Sequence, residues 1–388
     1  MPIAIYALAL AAFAIGSAEF IISGILPPLA TDLNVSIPTA GMLVTAYAIG
    51  VAIGGPVLNV ATARYSQRAV LISVMLLFAV AQLLCAMAPD YGLLLVARLV
   101  SACGHGAFFG AGTVMVAALV EPKKRGAAFS LFVGGITAAN LLGLPGGSAI
   151  GVAFGWRAAF LAVGALGFLA AIVMVFRLPV AKASTGPRPT FRAQLQALRH
   201  QQVWMSYITI FLVMLGTIAF ATYQVPVMLN VTGLTEDIVP LYLLVGGVGS
   251  VFGIWLGGRG TDWRPMPTLV AVLLVQALFY FTMLFAMHDR VWMLINLLFL
   301  SIGGFAFSTP LQARIVMGAR EAPNLASSLI SSAFNVGIAS GAGLGALLLS
   351  SGLGYANLPM IGIVSSLLAA GSAGLSWWLE VTRTPVSA

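Results

Sequence analysis

The chain has 388 residues, 60% of them hydrophobic and only 7% charged, with a mean hydropathy of +1.04 and a formal net charge of +8. A soluble domain carries about a quarter charged residues, so ten acids and eighteen bases exclude a water-clothed globular protein and point to lipid as the main solvent. The excess of base is scattered over short gaps between apolar runs, which excludes a nucleic-acid-binding patch.

A membrane helix needs about 20 mainly apolar residues. Such runs recur twelve times, at 3–30, 40–61, 69–88, 91–118, 127–150, 156–177, 204–231, 239–258, 266–287, 291–317, 323–350 and 355–380. The first run is longer than the apolar stretch of a cleavable leader, and no Lys or Arg precedes it, so it reads as the first span. One longer polar gap, "AKASTGPRPTFRAQLQALRHQQ" (181–202), divides the spans six and six. The expected domains are therefore 1–180 and 203–388, joined by a linker at 181–202. With both termini in the cytoplasm, Arg64, Arg68, Lys123, Lys124, Arg125, Arg177, Lys182, Arg188, Arg192, Arg199, Arg259, Arg264, Arg314, Arg320 and Arg383 fall on the cytoplasmic side. Only Arg157 and Arg290 fall outside, and the positive-inside rule fixes that orientation.

In chain order, the first chemical signal is Glu19, in "GSAEFIISGILPPL" (16–29); nothing else between Met1 and Ala30 is charged. Between the second and third spans, "GGPVLNVATARYSQRAVL" (54–71) carries Gly55, Arg64 and Arg68. The fourth span holds "ARLVSACGHGAFFGAG" (97–112), with Arg98 inside the membrane and His105 between two glycines. An arginine at the bilayer centre costs about 3 kcal/mol on insertion scales, so it should face a partner or a wet cavity. At about 1.5 Å per residue, Glu19 lies roughly 4 Å and Arg98 roughly 9 Å outside the midpoints of their spans. A long side chain covers that difference, and the two are expected to share one cavity. Burial and a nearby cation act in opposite senses on a carboxyl proton, which suits Glu19 to proton exchange. An imidazole such as His105 titrates in the physiological range.

The fifth span contains "LLGLPGGSAIG" (141–151), where Gly143, Gly146 and Gly147 permit close helix approach and Pro145 permits a bend. A shift of 198 places Gly143, Pro145 and Gly147 on Gly341, Gly343 and Gly345, and Gly55 on Gly253; a shift of 199 places Gly104 on Gly303 and Phe108 on Phe307. The halves repeat. "GIWLGGRGTDWR" (253–264) is the second copy of the 54–71 loop and keeps Asp262. At mid-depth, Asn140, Tyr207, Tyr223, Gln224, Gln276 and Asn335 are polar, and Phe108, Phe109, Phe305 and Phe307 aromatic. A few polar anchors among aromatic faces suit an amphipathic small molecule. Cys85 and Cys103 lie in apolar runs and imply no disulfide framework. There is no phosphate-binding loop, no metal-ligating cluster and no nucleophile–base pairing, so neither an ATP-driven pump nor an enzyme is expected, and no cofactor.

Twelve spans in two halves, with these stretches, resemble the major facilitator superfamily. Within it the chain is similar to the drug:proton antiporter branch, near the bacterial arabinose-efflux and chloramphenicol-efflux-like exporters. The 141–151 stretch resembles that branch's antiporter motif, 97–112 its helix-4 motif, and 54–71 the superfamily's loop signature, with Ala63 standing where an aspartate is expected. The resemblance implies an all-α membrane protein of two pseudo-symmetric six-helix bundles with a midplane site between them, neighbouring first and fourth helices, and a peripheral ninth helix, which carries Gln276. It implies a monomer in a bacterial inner membrane that exchanges a proton for a small drug-like molecule. Glu19, Arg98 and His105 then couple protons, Phe108, Phe109, Asn140, Tyr207, Tyr223, Gln224, Phe305 and Asn335 bind substrate, and the loop and helix-5 residues shape the conformational change. A sugar or nucleoside exporter of the same branch, or a proton symporter for uptake, are the alternatives.

Overall fold

The computed structural model describes residues 1–62, 64–179, 201–318 and 323–383, and every regular element among them is helical. Twelve helices are long and apolar enough to cross a membrane: α1 Ile3–Asp32, α2 Ile37–Ala61, α3 Gln67–Met87, α4 Tyr91–Leu119, α5 Arg125–Phe154, α6 Trp156–Arg177, α7 Gln201–Asn230, α8 Val239–Trp263, α9 Pro265–Ala286, α10 Arg290–Ile315, α11 Leu329–Ser350 and α12 Tyr355–Thr382. The expected α6 matches at both ends, and the others differ by a few residues. Starts are set by short polar side chains: Ser36 accepts from the Thr39 amide before α2, Ser66 from Ala69 before α3, and Asp90 from Leu93 before α4. Each satisfies a backbone donor that the first helical turn leaves open.

Among the described residues three spans are broken, and proline explains each break. A proline has no N–H, and its ring crowds the carbonyl four residues earlier. In α5 that carbonyl belongs to Leu141, four before Pro145, and Ala139–Gly143 widens into a π turn before the helix resumes at Leu144–Phe154. In α7 it belongs to Thr222, four before Pro226, and the helix divides into Gln201–Ala221 and Gln224–Asn230. In α10 it belongs to Ala306, four before Pro310; the first piece is Arg290–Ala306, and the second belongs to a helix, Ser308–Gly318, that runs three residues past the span. Pro27, Pro28 and Pro56 sit inside helices that remain unbroken.

The chain divides into two compact units, Met1–Thr185 with Leu234–Gly247, and Gly186–Gly233 with Val248–Ala388. The linker expected at 181–202 lies almost wholly outside the described residues. Inside the first unit, one glycine ridge of α5 meets α1. A Cβ on Gly147 would lie 2.5 Å from Ile21 Cγ1, one on Gly151 2.7 Å from Ile25 Cγ2, and one on Gly143 3.2 Å from Ser17 Cα. Gly146 departs from expectation: it is off that ridge, and a Cβ there would meet nothing within 4 Å. Four-residue spacing puts 143, 147 and 151 on one helix face and 146 on another. Inside the second unit, Gly337, Gly341 and Gly345 of α11 meet α7 at Met214, Leu215 and Tyr223. The two units thus repeat one packing device. Gly54 abuts Cys103 as Gly253 abuts Ile302, so the packing aligns the second-half glycine with Gly54 rather than Gly55, at a shift of 199.

Candidate functional site

The site grows from the contacts of α4 with α1 and α2. Small residues draw α2 onto α4: a Cβ on Gly50 would lie 2.7 Å from Ala102 Cβ, and one on Gly55 2.7 Å from Gly106 Cα. Arg98, Ser101 and His105 are spaced three, four and seven residues apart, which places them on one face of α4. Close approach of α2 brings Tyr47, 2% exposed, onto that face.

Arg98 is completely buried. Its Nη1 donates to the Ala18 carbonyl of α1 at 2.7 Å, and its guanidinium carbon lies 4.0 Å from the Tyr47 ring centroid. A hydrogen bond from a charged donor is worth about 2 kcal/mol, and a desolvated cation–π contact about as much. Together they are comparable to the insertion cost of about 3 kcal/mol. Nε and Nη2 have no partner among the described residues. Glu19 follows Ala18, is half-buried and lies within electrostatic reach of Arg98. Among the described ion pairs, Arg157–Asp32 and Arg314–Glu380, Glu19 does not appear.

His105 is 8% exposed; its Nδ1 lies 3.2 Å from the Tyr47 hydroxyl, and its ring centroid is 5.1 Å from that of Phe109. Beside it, Gln82 of α3 donates from Nε2 to Ser101 Oγ at 2.6 Å. Phe109 is half-buried and packs on Phe132 of α5, while Phe108 is fully buried against both. Structure therefore brings Glu19, Arg98, His105 and Phe109 into one cluster, joined by Tyr47, Ser101 and Gln82, which sequence reasoning passed over. Ser101 and Gln82 gave only a weak signal, one polar atom each in an apolar run. Tyr47 gave one only in hindsight, three residues before the first glycine of the α2–α4 contact.

Other expected residues are spread more widely. Asn140 is half-buried in the π turn, and Phe305 is half-buried beside the break in α10. Tyr207 and Phe307 belong to one apolar core cluster of the second unit. Tyr223 is fully buried and donates to the Ala342 carbonyl at 3.1 Å; it packs under Gly345. Phe108 and Tyr223 thus have no surface to offer a ligand in this structure, because each fills space against a glycine or a neighbouring ring. Gln224 and Asn335 are each 7% exposed, and Asn335 donates to Ser331 of its own helix. Gln276, expected at the periphery, is completely buried and donates to Thr217 Oγ1 at 3.1 Å, so this face of α9 turns inward to α7.

In the loop regions, Arg64 is exposed and Arg68 donates to the Val175 carbonyl at the end of α6. Ala63 lies outside the described residues. Asp262 is exposed and in no ion pair among the described residues. Arg259 and Arg264 instead lie over Trp255 and Trp263, with guanidinium carbons 4.3 and 5.6 Å from the ring centroids. No group of three or more His, Cys, Asp or Glu among the described residues could hold a metal ion.

Residues 8–323 match the family model of the Major Facilitator Superfamily. Over 379 residues the chain is 36% identical to the inner membrane transport protein YdhP of Escherichia coli (strain K12), covering 98% of this chain and 96% of that one. Over 344 residues it is 33% identical to the chloramphenicol resistance protein of Streptomyces lividans, covering 88% of each. A crystal structure of a bacterial homologue of the human lysosomal transporter Spinster, inward-facing and unoccupied, superposes with a TM-score of 0.79 at 16% identity, over 99% of this chain and 98% of that one. At that identity the likeness is one of fold.

Proposed function

The chain belongs to the Major Facilitator Superfamily, a membrane transporter of small molecules and not an enzyme, and from that premise we propose that it is a proton-coupled exporter of small drug-like or amphipathic molecules. One observation carries the reading: a half-buried carboxylate, Glu19, in no ion pair among the described residues, lies within electrostatic reach of a completely buried guanidinium, Arg98, and both belong to helices long and apolar enough to cross a membrane. An ionisable side chain is costly at that depth and is kept there for a function. Glu19 can hold a proton or release it as water or a substrate changes its surroundings, since both solvation and the Arg98 field act on the carboxyl group. Arg98 is the counter-charge, and His105 a second titratable group tied to it through Tyr47.

In this reading the bundles 1–180 and 203–388, joined by the linker at 181–202, alternate access to a midplane site, with both termini in the cytoplasm of a bacterial cell. A proton enters on Glu19 as substrate leaves, and a monomer suffices. Phe109, Asn140 and Phe305, the half-buried members of the expected set, supply aromatic faces and one polar anchor to the substrate, and Tyr207, Gln224 and Asn335, buried in this structure, complete the set. Drug-like cargo is supported by the mixture of aromatic and uncharged polar side chains in the expected set and by the name of the Streptomyces relative, a chloramphenicol resistance protein.

The test is transport in proteoliposomes under an imposed pH gradient, with chloramphenicol and a panel of amphipathic cations. The wild type should move at least one of them against its gradient, in the direction opposite to protons. Glu19→Gln should lose that drive while retaining substrate counterflow. Proton-driven transport by Glu19→Gln at the wild-type rate would remove Glu19 from the mechanism.

A further inference from the structure

We propose that Tyr47 is the positioning residue of this site: its ring holds the Arg98 guanidinium, and its hydroxyl fixes the His105 ring with the proton on Nε2. The inference deepens the exporter reading and rests on it for its functional consequence, though its geometry stands apart from it.

Arg98 is held at two points. One is the Ala18 carbonyl of α1, 2.7 Å from Nη1; the other is the Tyr47 ring of α2, 4.0 Å from the guanidinium carbon. Nε and Nη2 add nothing among the described residues. Without the phenol ring, a single hydrogen bond would be left to orient a buried cation on a flexible stem.

The same phenol meets His105 at its other end, 3.2 Å from Nδ1. Which way that hydrogen bond runs follows from burial. The Tyr47 hydroxyl is shut off from solvent, and among the described residues His105 Nδ1 is the acceptor within hydrogen-bond distance of it. Were Nδ1 to donate instead, the phenol hydrogen would be a buried donor without an acceptor, the rarer case in folded proteins. Tyr47 therefore donates, and Nδ1 is the acceptor nitrogen.

Neutral imidazole has one donor and one acceptor nitrogen, and imidazolium has two donors. With Nδ1 accepting, the ring proton sits on Nε2. A second proton has to arrive at Nδ1, and the Tyr47 hydroxyl must then turn from donor to acceptor. The charged and titratable groups around His105 are Tyr47 from α2 and Arg98 from α4 itself. Through Tyr47, Glu19 of α1 and Cys85 of α3 follow. Any change of proton on His105 thus acts first on the residue that holds Arg98.

Two variants separate the two contacts: Tyr47→Phe keeps the ring and loses the hydroxyl, whereas Tyr47→Leu loses both. The readout is nitrogen NMR of the full-length protein, labelled at histidine, in lipid nanodiscs. The chain has three histidines, and His105→Gln assigns the signal. The wild type should show the proton on Nε2 with Nδ1 as a hydrogen-bond acceptor. Tyr47→Phe should lose the acceptor shift and move the titration midpoint of His105 by about 0.5–1 pH unit, the worth of one neutral hydrogen bond. The pH profile of transport should move with it, and Tyr47→Leu should in addition lose transport. A wild-type proton on Nδ1, or a Tyr47→Phe spectrum identical to the wild type, overturns the proposal. If the wild type transports nothing against a pH gradient while the Tyr47→Phe spectrum changes as described, the exporter reading fails and the positioning role of Tyr47 stands.

Discussion

The two halves of the chain share a packing scheme and differ in chemistry. In the first, the α5 ridge Gly143–Gly147–Gly151 lies on α1; in the second, Gly337–Gly341–Gly345 of α11 lies on α7. Asp90 caps α4 as Asp289, 199 residues later, caps α10. Carried across the same repeat, Glu19 falls on Thr217 at a shift of 198, and Tyr47, Arg98 and His105 fall on Gly246, Leu297 and Gly304 at a shift of 199. Every member of the titratable cluster has an uncharged counterpart. Where the first half sets Glu19 near Arg98, the second has Thr217 accepting from Gln276, with Gly304 leaving space beside the threonine methyl. The shared scheme is what the bilayer and helix contacts demand, and at these positions charge is found in the first half alone, as expected if one proton site suffices for coupling.

The strongest way to break that asymmetry is to impose the second-half residue on the first. Arg98→Leu copies Leu297 and removes both a charged hydrogen bond and a cation–π contact of about 2 kcal/mol each. Transport should fall by about 100-fold or more, while the protein still folds, because an apolar residue replaces a buried cation. Near-wild-type flux in the liposome assay would mean that the cluster is structural. An intermediate effect is expected from the shared packing. Gly147→Leu and Gly345→Leu should each destabilise their own unit by about 1–3 kcal/mol through overpacking, read as a lower melting temperature in detergent. Gly146→Leu, facing open space, should stay within about 0.5 kcal/mol. Equal losses at Gly146 and Gly147 would refute the ridge. The smallest effect belongs to the second-half polar pair: Gln276→Leu breaks one neutral hydrogen bond to Thr217, should cost about 1 kcal/mol, and should leave the pH profile of transport unmoved. A displaced profile would give the second half a share in the proton chemistry.

Much of this fold was legible in the sequence because lipid leaves a chain few choices: runs of about 20 apolar residues, bounded by turn chemistry, have to be helices. Trp156–Arg177 was readable to the residue. The bend at 139–143 was readable from Pro145, but the breaks at 222–223 and 307 were not read, since hydropathy is the same whether or not a span is continuous; Pro226 and Pro310 were the available signal. Glu19 and Arg98 announced themselves by charge. Tyr47 did not, because a tyrosine in an apolar run signals nothing until helix rotation is known. That rotation is set by glycine contacts with α4, which the sequence does not pair. Gly146 failed for the same reason, as adjacent glycines read alike in sequence and face differently on a helix.

The most direct measurement is proton release from the purified, unbuffered protein when a transported compound is added, followed with a pH-sensitive dye. Wild-type protein should release protons on binding, and Glu19→Gln should bind the compound without releasing any. Undiminished release from Glu19→Gln would contradict the exchange of proton for substrate at Glu19.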